Sequence, residues 1–372
     1  MKQEREKWID ALRGLAMLLV IWGHCGKNIF FNAIYLVNVP LFICITGYIN
    51  GMKFYEKEEI SKADYISIIR HYVYPYLTYG LLFEICSYIN GLLGLRLFGT
   101  INDARFSSIF LNFITFEAGT IWFLIPLAIA EIMYFIILTS LNIIWKRKVN
   151  PITKSLFISL LAIGLVGMVD LINPQRLFPQ LDGTIMTCLK HWYYLLKRSF
   201  AFIFYLALGS FCYYIIKNKL LGYGKQVIIC CICVAIFCLN YTSEAWAFTE
   251  VRNLSDYNQL KYFFLSVAIC IPLFLVFSHF GNYLSLLQHI GRNTLIINGT
   301  HLTFNIVEIC SRWCGRCLHF FKSQIVLTLV FMMLTTLIEI IIIVPIFHGS
   351  MRFMDKPEVF REILKRKKRF TI

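Results

Sequence analysis

Long apolar runs separated by short polar stretches recur along the whole chain, near 8–26, 34–52, 73–95, 121–144, 155–173, 199–216, 226–242, 262–280, 293–310 and 324–347. A helix that crosses the roughly 30 Å hydrocarbon core of a bilayer needs about 20 such residues. The ten runs therefore predict ten transmembrane helices in an all-α integral membrane bundle, with no stretch left for a large soluble domain. The run at 324–347 is the clearest, with Glu339 its sole charge, and 293–310 is the weakest, holding Asn293, Asn298, His301 and Asn305. The first run contains Arg13 and His24 and no small-residue cleavage site follows it, so it reads as a span and not as a secretory signal peptide. With no fixed-period repeat and no flexible linker, the pattern predicts one membrane domain over 1–350 and a basic tail over 351–372.

Composition sharpens this reading. Hydrophobic residues make up 58% of the chain and charged residues 15%, whereas a soluble domain carries about 25% charged residues. That excludes a soluble enzyme, a disordered chain and a nucleic-acid-binding domain, even though the net charge is +15. In a membrane protein such an excess is read first as orientation. Of the Lys and Arg residues, 23 fall on the terminus-facing side of a ten-span arrangement and 12 on the other, which puts both termini in the cytoplasm. The tail sequence KRKKR would also meet anionic lipid head groups there.

The few ionisable residues inside spans are the candidates for chemistry, because each is costly in lipid unless paired or hydrated. Asp10, Arg13 and His24 share the segment WIDALRGLAMLLVIWGH. At 100° per residue they fall on one helical stripe, with His24 about 16.5 Å above Arg13. Arg13 offers a two-pronged fork for a phosphate or carboxylate, and His24 can act as a general base near neutral pH. An anionic cytoplasmic ligand held at Arg13 with its reactive end at His24 fits the stripe. An ion pair between Asp10 and Arg13 that anchors the helix, and a structural His24 bonded to a carbonyl, are the alternatives. Glu84, Glu131 and Glu339 are further intramembrane carboxylates, any of which could orient His24. Trp122 either stacks on a sugar ring or anchors the interface. Asn298 and His301 lie on one polar face, suited to bonds between helices or to an acceptor cavity. The thirteen cysteines are scattered mostly inside spans as small apolar fillers. Cys310, Cys314 and Cys317 cluster at the outer end of the ninth span, where a disulfide is possible but the spacing fits no standard zinc pattern, so no metal is expected.

The first segment resembles the opening signature of the membrane acyltransferase-3 family, through Asp10, Arg13, Gly14 and His24. The resemblance continues in order along the chain. VPLFICITGYINGMKF (39–54) is similar to one family stretch, and IIRHYVYPYL (68–77) to another through Arg70, Pro75 and Tyr76. GTIWFLIPL (119–127) matches through Trp122, Phe123 and Leu124, and LQHIGRNTLIINGTH (287–301) through Gly291, Arg292, Asn293 and His301. Three departures stand out against the fucose O-acetylase-like branch. Asn38 replaces a histidine, Thr46 replaces a serine before Gly47, and His71 replaces the second basic residue of a pair.

The resemblance implies a bacterial inner-membrane O-acyltransferase of the multi-pass type. It implies acetyl-CoA, or another acyl-CoA, as the cytoplasmic donor, and a glycan or lipid-linked sugar as the acceptor. His24 would be the base, with Asp10 and Arg13 beside it in the catalytic stripe, and a covalent acyl-histidine relay stays open as a second route. Arg13, Arg70 and His71 would hold the CoA, while Trp122, Asn298 and His301 would line the acceptor site. The lipid bilayer is the other expected partner, and the oligomeric state is left open. The competing reading is a polytopic transporter or flippase of glycan precursors without acyl transfer, for which broken helices and inverted repeats would be the mark.

Overall fold

A computed structural model describes residues 6–25, 31–54, 60–93, 106–145, 149–181, 183–240, 256–304, 306–317, 324–350 and 354. Among the described residues every regular element is helical. In chain order these are α1 (Lys7–His24), α2 (Phe31–Phe54), α3 (Lys62–Ile68), α4 (Tyr74–Leu93), α5 (Phe106–Ile114), α6 (Leu124–Ile144), α7 (Pro151–Val169), α8 (Pro174–Leu177), α9 (Gly183–Lys217), α10 (Tyr223–Asn240), α11 (Asp256–Phe280), α12 (Ser285–Arg292), α13 (Thr294–Thr300), α14 (Ile306–Cys317), α15 (Gln324–Ile338) and α16 (Val344–Ser350). Most of the tail over 351–372, and the loop residues 241–255, lie outside the described residues.

Among the described residues, six helical stretches are long and apolar enough to cross a bilayer: Ala33–Phe54, Phe110–Ile144, Pro151–Leu177, Gly183–Lys217, Leu260–Tyr283 and Ile325–His348. They coincide with six of the runs read from the sequence. The run at 226–242 corresponds to a shorter apolar helix, Tyr223–Leu239, and the run at 8–26 to α1, which carries Lys7, Asp10 and Arg13. The chain is an all-α, multi-pass membrane protein.

The weakest run, 293–310, is not one helix. It divides into α13 and α14, with a turn over residues 301–304 between them. Asn298, Gly299, Thr300 and Thr303 explain the break, since glycine stabilises helix poorly and short polar side chains compete for backbone groups. Thr300 Oγ1 bonds the Ile296 carbonyl at 2.8 Å and Thr303 Oγ1 the Gly299 carbonyl at 2.6 Å. Irregular backbone at membrane depth is tolerated where it is buried in protein, and Thr300, His301 and Thr303 are all buried.

Two helices widen by one residue instead of breaking. A π turn over Ile69–Val73 joins α3 to α4, and another over Glu339–Ile343 joins α15 to α16. The first carries Arg70 and His71 and the second carries Glu339. Such one-turn bulges recur at functional sites.

The described chain divides into two compact units. One comprises Met1–Gly23, Ile29–Asp64 and Ile129–Arg292. Its core is built on close backbone approaches at glycine. A Cβ on Gly47 would overlap the Leu206 carbonyl of α9, and one on Gly209 would overlap the Cys44 carbonyl of α2. The Ser210 hydroxyl donates to the Gly47 carbonyl at 2.8 Å across the same seam. Small residues allow this packing in a membrane, where lipid removes the hydrophobic drive between helices and van der Waals contact and hydrogen bonds take over. The same device joins α1 to α12, because a Cβ on Gly14 would overlap the Leu287 carbonyl and one on Gly291 the Asp10 carbonyl. Two of the motif glycines are thus accounted for by packing. Some buried polar groups of this unit are paired: Asn50 Nδ2 donates to Glu131 at 2.7 Å, and Lys197 Nζ meets Asp170 at 2.5 Å with Tyr193 bonded to the same carboxylate.

The other unit comprises His24–Asn28, Tyr65–Ala128 and Asn293–Ile372. Gly299 of α13 faces the Tyr79 ring of α4 so closely that a Cβ would enter the ring. The tight turn Gly119–Phe123 begins at Gly119, whose φ of +53° favours glycine. This turn packs on α13 through Thr120, whose hydroxyl donates to the Asn298 carbonyl. His348 Nε2 contacts Asn293 Oδ1 at 2.5 Å.

Candidate functional site

Helix α1 runs unbroken from Lys7 to His24, so Asp10, Arg13 and His24 keep one stripe along it. Asp10 is buried in the first turn, where a carboxylate complements the helix dipole. Arg13 is half-buried. His24 ends the helix, and beside it stands His301, the residue that follows α13. The two imidazole centroids are 5.3 Å apart and the rings are tilted by 47°.

The hydrogen bonds around His301 define its chemistry. His301 Nδ1 lies 2.9 Å from the Ile297 carbonyl. A carbonyl can only accept, so Nδ1 carries the proton, and in the neutral ring Nε2 is a bare acceptor. That Nε2 is buried with no hydrogen-bond partner among the described residues. Asn298, one turn earlier on α13, is also buried, and neither atom of its amide has a partner among the described residues. Thr300 reaches Glu339 Oε2 at 3.1 Å, and the other carboxylate oxygen of this fully buried glutamate has no partner among the described residues. Buried polar atoms are nearly always satisfied in folded proteins. Asn298, His301 and Glu339 are three such exceptions on or bonded to α13 and the turn after it, with others at Glu84, Ser87 and Tyr205 among the described residues.

Of the three intramembrane carboxylates read from the sequence, Glu339 is the one linked to the histidine turn. Glu131 is bonded to Asn50. Glu84 is buried on α4, and neither of its oxygens has a partner among the described residues. Trp122 is half-buried in the turn that rests on α13 and is edge-on to Phe123, with ring centroids 6.2 Å apart. Arg70 and His71 are exposed within the first π turn. His71 Nδ1 donates to the Ser67 carbonyl at 2.7 Å, leaving Nε2 as the outward nitrogen. The structure therefore brings together His24 and His301, and sets the turn bearing Trp122 against α13. Asp10 and Arg13 belong to the other unit. Thr120 and Thr300 were not singled out in the sequence, where an isolated threonine among apolar residues carries no signal.

Cys310 and Cys314 are buried, while the Cys317 side chain and His319 lie outside the described residues. Among the described residues no group of three His, Cys, Asp or Glu side chains is placed to hold a metal ion.

The Acyltransferase domain family matches the chain over residues 6–344, a stretch that contains every site residue named above. No curated protein and no solved structure matches it. With that match and its array of apolar spanning helices, the chain belongs to the acyltransferase-3 family of membrane acyltransferases.

Proposed function

We propose that the protein is an O-acyltransferase of the bacterial cytoplasmic membrane. It moves an acyl group, acetyl in the simplest case, from cytoplasmic acyl-CoA to a hydroxyl of a surface glycan or lipid-linked sugar. The observation that carries the reading is the His24–His301 pair in a chain of this family. His301 presents a bare Nε2 next to His24. The two rings make no hydrogen bond to one another, so His301 Nε2 is left to accept from a bound hydroxyl while neutral His24 acts as the base. His24 then takes the proton of the acceptor hydroxyl as its oxygen attacks the thioester carbonyl. The carbon–sulfur bond breaks, and the CoA thiolate leaves and recovers a proton from His24. Base catalysis of this kind is worth about 10²–10⁴-fold. Arg13, Arg70 and the outward nitrogen of His71 serve the donor, and Trp122 and the Asn298 amide serve the acceptor.

His24→Ala, scored as acetyl groups on the cell-surface glycan at matched protein level, should abolish transfer. Retained acetylation would remove His24 from its role. A transporter without covalent chemistry is favoured by one observation, the turn at 301–304 that interrupts a membrane helix. Acetyl-CoA hydrolysis by the purified protein separates the two readings, since a transporter has no thioester to cleave.

A further inference from the structure

Away from the histidine pair, the unit that holds α2 and α9 contains an open cavity of about 690 Å³, and all of its walls belong to that unit. Its size is that of a small-molecule site. Three apolar spanning helices end at it: Ala33–Phe54 through Met52, Gly183–Lys217 through Ile216 and Lys217, and Leu260–Tyr283 through Ser278 and His279. The end of a span lies at the level of the lipid head groups, so the cavity lies there and not in the hydrocarbon.

The lining sets charge of both signs on an aromatic floor. Trp8, Tyr48 and Tyr213 are buried, and Tyr48 is edge-on to Trp8 and to Tyr213, with centroids 5.1 and 5.2 Å apart. Glu6, which leads into α1, accepts from the Tyr48 hydroxyl at 3.3 Å. Lys217 and Lys219 come from the end of α9, and Lys217 Nζ is 5.7 Å from the centroid of the Tyr213 ring. His279 and Gln226 are joined at 2.8 Å and tie the wall of α11 to that of α10. Glu6 and Lys219 line the same cavity, yet neither forms an ion pair among the described residues.

Opposite charges that share a cavity without meeting suit a ligand that carries both. A carboxylate beside aromatic rings recognises an ammonium, and lysines recognise a phosphate. A soluble anion would be repelled by Glu6, and a simple cation by the lysines. The surface beside the cavity selects a lipid. Leu220, Phe280 and Tyr283 flank the lining residues in sequence and are exposed, as are Val227 and Ile228, one turn into α10. Acyl chains attached to a headgroup in the cavity would lie against them.

We propose that this cavity binds the headgroup of a zwitterionic phospholipid with a primary amine, of the phosphatidylethanolamine type. The ammonium donates to the Glu6 carboxylate over the Trp8 and Tyr48 rings, and Lys217 and Lys219 take the phosphate. The amine is primary because a trimethylated ammonium has no N–H to give to Glu6. The proposal does not depend on the acyltransferase reading.

The test is native mass spectrometry of the purified full chain in detergent, titrated with phosphatidylethanolamine, phosphatidylglycerol or phosphatidylcholine of the same acyl chains. The ethanolamine lipid should bind about tenfold more tightly than either of the others, the contribution of one charge-assisted contact. Glu6→Gln keeps an acceptor for the Tyr48 hydroxyl, and hence the fold. It should weaken the ethanolamine lipid about tenfold without weakening phosphatidylglycerol. Lys219→Gln, a change at an exposed side chain, should weaken both. A wild type that binds the three lipids alike, or prefers phosphatidylglycerol or phosphatidylcholine, overturns the proposal. So does an ethanolamine-lipid affinity that neither variant changes. Competition by O-phosphoethanolamine at the lipid's own concentration also overturns it, because the acyl chains then contribute nothing.

Discussion

His24 and His301 are far apart in the sequence, yet their rings stand 5.3 Å apart, and the proton on His301 Nδ1 is fixed by the Ile297 carbonyl. A histidine whose tautomer is set by the backbone keeps a bare acceptor nitrogen beside its neighbour.

His301→Gln is expected to reduce acyl transfer by about 10²-fold or more while leaving acetyl-CoA affinity unchanged. The double variant with His24→Ala should be no slower than His24→Ala alone, because residues that act as a unit are not additive. Steady-state transfer rates on the four proteins check this, and independent, multiplying losses would separate the two histidines.

Thr300→Val keeps the shape of the side chain and removes the hydroxyl between the Ile296 carbonyl and Glu339. It is expected to cost about 1–3 kcal/mol, the penalty of leaving a buried polar group without its partner. Adding Glu339→Leu should recover most of that loss, since the stranded carboxylate goes with it. Thermal unfolding in detergent followed by tryptophan fluorescence reads both, and additive losses would contradict the coupling.

Lys197→Met should destabilise the protein by about 3–5 kcal/mol, because it leaves Asp170 buried without its cation. The pair Lys197→Met with Asp170→Leu should unfold close to the wild-type temperature, as replacing a buried ion pair by apolar groups is often neutral. A double variant as unstable as the single one would show that Asp170 has a task beyond the pair.

Gly291→Ala places a methyl group against the Asp10 carbonyl. Overpacking at such a contact costs about 1–3 kcal/mol, and pushing α12 away from α1 should lower the unfolding temperature accordingly. Gly164→Ala, on a helix face where a Cβ meets nothing within 4 Å, is the matched control and should not.

The apolar runs were legible because a bilayer span has a length and composition that little else shares. The stripe ending at His24 was legible because charge inside lipid is rare. The break after Thr300 was not, since a run with Asn298 and His301 reads equally as one polar-faced helix or as two. Nor was the choice among Glu84, Glu131 and Glu339. That choice depends on which helix lies beside α13, and helix periodicity carries no information about neighbours.

The π turn at Glu339–Ile343 has one more consequence. A widened turn holds one residue more than an α turn, so every side chain beyond it is displaced by about 100° around the axis from where a regular helix would put it. His348, which meets Asn293, is therefore in register with its partner only because of the extra residue. Deleting a single isoleucine from the run Ile340–Ile343 would leave the composition of the span almost untouched. It would regularise the helix and turn either Glu339 or His348 away from its partner, so one letter of an apparently featureless apolar stretch acts as a phase setting for both ends of the helix.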